Sequence, residues 1–216
     1  MTPKPNMENF YSRETETQNV SAIHFLIHPG FWSEGLAKAE NLEIKKKFDP
    51  LLEEYKKLVQ EIQARPAEIL ILAVPERNTP ATHPLHEGTT EYREFLTYVT
   101  ETLGNRAILL GPSEDPIPDK VNMEAVANYI QRILKERGFS YAPDVLSKAY
   151  GEMVEQCVAT GAIKLNQALA LKRPTIIDPT VSDVAAPAFD RESRVEKLTA
   201  LEDRTTDSPF IEIRVE

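Results

Sequence analysis

The sequence predicts an α/β protein, a three-layer α/β/α sandwich built on a mostly parallel sheet. Short continuous apolar runs such as Ile69–Val74 suit strands buried on both faces. The segments between them repeat their apolar residues at helical spacing. The two kinds of segment alternate along the chain, the pattern of right-handed strand–helix–strand crossovers with helices on both faces of a sheet.

Residues 1–19, rich in Pro, Asn, Thr and Glu, read as a flexible N-terminal arm, and residues 20–216 as a single α/β domain. The first strand signal is Ala22–Ile27, closed by His28-Pro29-Gly30. Asp49-Pro50 reads as a helix start, an N-cap followed by proline at the first helical position. Leu51, Leu52, Tyr55, Leu58, Val59 and Ile62 form its apolar face, and Pro66 stops it. The buried run Ile69–Val74 follows and ends at Pro75. The spacing of Tyr92, Phe95, Leu96 and Val99 predicts a helix over 90–103, broken by Gly104-Asn105. Ala107–Leu110 is a short buried strand ended by Gly111-Pro112.

A helix over 121–137 buries Val126, Tyr129, Ile130, Ile133 and Leu134 and stops at Gly138. Residues 144–150 are a weaker strand signal leading to Gly151. A helix is expected over 152–171, with Gly161 inside it as a sign of close packing, because glycine there costs about 1 kcal/mol against alanine. Thr175–Ile177, a helix over 191–201 and a strand over 210–215 complete the pattern.

A chain of 216 residues is long enough for one well-cored domain. Its formal charge of -9 argues against nucleic-acid partners, which need a basic face. No apolar run approaches the roughly 20 residues that cross a bilayer, so no membrane partner is expected. The single cysteine allows no internal disulfide, which fits a reducing, cytoplasmic setting. No dinucleotide fingerprint or phosphate-loop pattern occurs.

In parallel α/β sheets, ligands bind at the carboxyl ends of the strands. Those ends carry His28, Glu76, Arg77, Gly111, Gly151, Glu152 and Asp178, which makes them the candidate ligand-binding rim. Arg77 can read a carboxylate or phosphate through paired hydrogen bonds, or stand with Glu76 as a solvated pair. Glu152, at a helix start, either orients a ligand or answers the helix dipole. His83 and His86 have the spacing of two metal ligands, although short His-x-x-His runs also arise by chance. No cofactor is required by this reading, and a divalent metal is the only one it leaves open. Cys157 is either a nucleophile near a helix N-terminus, with His28 as base, or a small buried hydrophobe.

Gly151, Cys157-Val158, the helix to Leu171 and Asp178 keep an order and a spacing that resemble the isochorismatase-like cysteine hydrolases, the group that includes nicotinamidases. The resemblance implies a nucleophilic Cys157 and hydrolysis of a small amide or related substrate. His83-Pro84-Leu85-His86 faintly echoes that group's metal loop, with Ala81 where an acidic residue stands. Where the family ends its first strand with Asp, this chain has Ile27-His28; where the family has Lys after a middle strand, it has Gly111-Pro112-Ser113; and Val154 replaces a Thr. The alternative is a non-catalytic module on the same fold that binds a small-molecule ligand or a protein. A homo-oligomer suits either reading.

Overall fold

The computed structural model describes residues 17–29, 42–74, 90–151, 157–177, 199 and 208–214, with the backbone alone for 42–52 and 90–92. Its elements are β1 (Gln18–Ile27), α1 (Leu42–Gln63), β2 (Glu68–Ala73), α2 (Thr90–Leu103), a 3-10 turn (Gly104–Arg106), β3 (Ala107–Leu110), α3 (Met123–Glu136), β4 (Phe139–Gly151), α4 (Ala159–Ala168), β5 (Thr175–Ile177) and β6 (Ile211–Ile213). The six strands form one sheet in the order β3-β2-β1-β4-β5-β6, and every neighbouring pair is parallel.

Side chains alternate between the two faces of a strand. Ile23, Phe25 and Ile27 of β1 therefore join Ile69 and Ile71 of β2 in one apolar cluster, covered by Val126, Ile130 and Leu134 of α3 and Ala162 and Leu165 of α4. Leu26, Leu70 and Leu72 face the other way, toward Tyr55, Val59 and Ile62 of α1 and Phe95 and Val99 of α2. A helix pair thus covers each face, and the expected α/β sandwich is found with a sheet that is parallel throughout.

Polar bonds tie the layers together. The Arg106 guanidinium donates to the carbonyls of Ile62, Gln63, Arg65 and Glu68, closing the end of α1 onto the start of β2. Asn122 caps α3 by accepting from the N–H groups of Glu124 and Ala125, and Gly138, at φ 74°, ends it in the left-handed region open to glycine. The buried Thr175 hydroxyl bonds the Ser147 hydroxyl on β4 and accepts from the Asn166 amide of α4. On the opposite face, His24 stacks on Tyr150 and bonds both its hydroxyl and Glu68. Among the described residues, no helix is long and apolar enough to cross a membrane.

Several boundaries differ from expectation. Asp49-Pro50 does not start a helix, because α1 already runs from Leu42 through both residues. A proline inside a helix loses its N–H bond and its ring crowds the carbonyl four residues back, yet α1 continues on both sides of Pro50. Gln18 and Asn19 belong to β1 rather than to an arm, paired with Phe139 and Ser140. β4 starts at Phe139, five residues before its sequence signal, because β1 supplies a partner there. Of the helix expected over 152–171, residues 152–156 lie outside the described residues, residues 157–158 belong to a wide π-type turn, and α4 follows and ends at Ala168, before the expected Leu171. The closing strand spans only Ile211–Ile213. Of the helix expected over 191–201, Thr199 is helical and the rest lies outside the described residues, as do residues 1–16.

Candidate functional site at the switch point of the sheet

β1, β2 and β3 proceed toward one edge of the sheet, and β4, β5 and β6 toward the other. The order reverses between β1 and β4, and the crevice beyond the carboxyl ends of that pair is where doubly wound sheets hold ligands. Ile27 and Gly151 are the last paired residues on these strands. His28 comes one residue later.

His28 is buried and has a φ of 49°, in the left-handed region that a side chain adopts at a cost of order 1–3 kcal/mol. Its N–H still donates to the Ala73 carbonyl at 3.1 Å, so the residue remains tied to the sheet while its conformation breaks the strand's alternation. Its Nε2 lies 2.8 Å from Oδ1 of Asp115, whose side chain is 1% exposed. Asp115 comes from the connection between β3 and α3. Gly111 opens that connection in a turn, its carbonyl accepting from the Glu114 N–H at 3.0 Å. Two residues beyond Asp115, the Ile117 N–H donates back to the same Oδ1 at 3.0 Å. From α4, the Lys164 ammonium donates to the carbonyls of Ile117 and Pro118.

Cys157 lies in the wide turn just before α4, a kind of helix irregularity that recurs at functional sites. It is 9% exposed and belongs to the apolar cluster that contains Ile27, Val158, Ala159 and Ala162. Gly151 brings this turn to the crevice: a Cβ there would strike the Ile27 carbonyl and lie 2.7 Å from Val158 Cγ2. At Gly161 a Cβ would lie 2.8 Å from Ile27 Cδ1 and 3.1 Å from Ile117 Cδ1, which bears out the close packing read from that glycine. The backbone carrying Cys157, the end of β1 carrying His28 and the loop carrying Asp115 therefore meet around Ile27.

Of the site residues expected from sequence, His28, Gly111 and Gly151 of the rim and the candidate nucleophile Cys157 fall within the described residues. Gly111 and Gly151 have backbone reasons for their identity, a turn and a close approach. Glu76, Arg77, His83, His86, Glu152 and Asp178 lie outside the described residues. Among the described residues, no group of three or more His, Cys, Asp or Glu is placed to hold a metal ion. Asp115 is not among the residues that the sequence pattern singles out. An acidic residue before proline, just past a strand-ending Gly-Pro, was its only local signal.

Two surface grooves lie elsewhere. One of about 370 Å³, lined by Leu134, Phe139, Tyr141 and Leu169, sits at the amino end of β4. Another of about 430 Å³ runs between α3 and α4, past Glu124, Asn128 and Gln167. Neither includes His28, Asp115 or Cys157. At the switch point the buried imidazole and carboxylate are paired with each other, as burial of such groups requires.

Compared with family models, with curated proteins and with solved structures, the chain matches none of them.

Proposed function

We propose that this protein is a divergent isochorismatase-like hydrolase, acting on a small amide or related substrate at the switch-point crevice, with Cys157 as nucleophile and His28 as proton acceptor. The observation that carries this reading is His28 itself: a buried imidazole in a strained backbone conformation, at the end of β1, bonded to a buried carboxylate. Strain and a paired, buried base are features that recur where chemistry is done.

In this reading the Cys157 thiol passes its proton to His28 while sulfur attacks the substrate's carbonyl carbon. The tetrahedral adduct collapses with cleavage of the C–N bond, and the amine leaves with the proton that His28 returns. Water then attacks the thioester, His28 takes a proton from it, and the acid product departs. The proton goes back to sulfur, so the enzyme ends as it began. No cofactor enters any of these steps.

The burial of Cys157 among aliphatic side chains favours a second reading, a non-catalytic module that binds a small molecule or a protein at the same rim. Apolar burial raises a thiol's pKa and makes it inert. Alkylation by iodoacetamide across neutral pH, with free cysteine as the standard, separates the two. The hydrolase reading expects Cys157 in the folded protein to label faster than free cysteine at neutral pH, with an apparent pKa below the ordinary value of about 8.5. Labelling that requires prior unfolding would replace that reading with the second.

A further inference from the structure

We infer that Asp115 is a positioning residue that holds His28 in a single tautomer, with its proton on Nε2 and its basic lone pair on Nδ1. The inference deepens the reading of His28 as proton acceptor by naming the nitrogen that must do the work and the group that selects it.

A neutral imidazole has one N–H and one acceptor nitrogen, and a hydrogen bond at one position dictates the role of the other. Asp115 Oδ1 accepts from the Ile117 N–H at 3.0 Å. The oxygen facing His28 Nε2 at 2.8 Å is thus already acting as an acceptor, so the nitrogen opposite it is the donor. The choice is enforced by surroundings that admit little water, with the His28 side chain 6% exposed and that of Asp115 1%. Reversing the tautomer would set a lone pair against a buried carboxylate oxygen, a penalty on the scale of a lost charge-assisted hydrogen bond.

Asp115 is itself held from three sides. The Gly111–Glu114 turn delivers it, the Ile117 N–H fixes its carboxylate, and Lys164 anchors the chain just beyond by bonding two carbonyls. The Lys164 ammonium itself is engaged by the Ile117 and Pro118 carbonyls and lies 3.9 Å from the Asp119 carboxylate. When His28 takes a proton on Nδ1 it becomes a cation, and the Asp115 carboxylate stabilises that cation where it forms. Asp115 touches no reacting atom in this scheme. It acts only through the ring.

The ring nitrogen resonances of His28 test this directly, assigned by their loss in His28→Gln and read in the intact protein on the alkaline side of the imidazole titration. The expected result is a protonated Nε2 and an unprotonated Nδ1 in the wild-type protein. A proton on Nδ1, or a fast mixture of the two forms, would overturn the inference without any variant having to fold. In Asp115→Asn the tautomer is expected to become mixed, and the neutral-pH alkylation rate of Cys157 to fall about tenfold or more, with partial recovery in Asp115→Glu. A tautomer unchanged by Asp115→Asn in a protein of unaltered circular dichroism would also overturn it. Should the wild-type tautomer be as inferred while Cys157 labels slowly, the nucleophile reading fails and the role of Asp115 stands.

Discussion

Gly151 approaches Ile27 so closely that a methyl group on its Cα would overlap the Ile27 carbonyl oxygen. The obstacle is backbone, so no rotamer change relieves it. Gly151 also has a φ of 155°, a value that L side chains rarely adopt. Gly151→Ala is therefore expected to destabilise the protein by about 3 kcal/mol, combining strain with forced separation of β1 and β4. The nearest atoms that Gly161→Ala meets belong to the Ile27 and Ile117 side chains rather than to backbone, and the change gains helix propensity. Its expected loss is about 1 kcal/mol or less. Urea denaturation of the two variants checks the order, and equal losses would show that the β1–β4 contact yields more easily than its geometry implies.

Burial by itself pushes the Glu68 carboxyl upward, but the hydrogen bond and charge of His24, with help from Arg65, more than offset it and hold the group below its ordinary value of 4.5. The His24 Nε2 lies 2.8 Å from Glu68 and the Arg65 guanidinium 3.5 Å from it. Between the lowered value and 4.5 the unfolded chain binds more protons than the folded one, so stability rises with pH there. The contribution is complete above 4.5 and is lost as pH falls through the folded value. Glu68→Gln keeps the shape but cannot titrate. Its urea midpoint is expected to fall less steeply than that of the wild type as pH drops below 4.5, and parallel curves would show that the pair makes no contribution to acid stability.

How far such features can be read in advance depends on their range along the chain. α2, β3 and β5 have the limits their sequence signals indicate, because local breakers frame them: Gly104 after α2, Gly111 after β3 and Pro174 before β5. The start of α1 is not where Asp49-Pro50 places it, since a local N-cap signal can lie inside a longer helix. The first half of β4, with Ser140 and Pro143 in it, carries no strong strand pattern, and its identity comes from β1, where Gln18 aligns with Phe139. The candidate site divides in the same way. His28 and Cys157 stand beside recognisable strand and helix ends. Asp115 joins His28 only because the β3–α3 connection crosses the sheet, a contact spanning 87 positions that no local pattern encodes.

The β3–α3 connection is also held from α4. Lys164 reaches from α4 to donate to the Ile117 carbonyl at 3.1 Å and the Pro118 carbonyl at 3.4 Å, with the exposed Asp119 carboxylate 3.9 Å away. Two charge-assisted bonds to partly buried carbonyls are each worth about 1–3 kcal/mol, whereas the exposed ion pair adds little. Lys164→Met keeps most of the apolar stem and removes the ammonium. Amide exchange in residues 111–122 should then accelerate about tenfold or more, while the β1 and β2 amides keep their protection. The Ile117 amide is the most telling, because its hydrogen bond to Asp115 is what aligns the carboxylate with His28. If it exchanges at the wild-type rate in Lys164→Met, then the Ile117–Asp115 bond holds the carboxylate without help from α4. If the whole sheet loses protection equally, the lysine supports the global fold and not the loop.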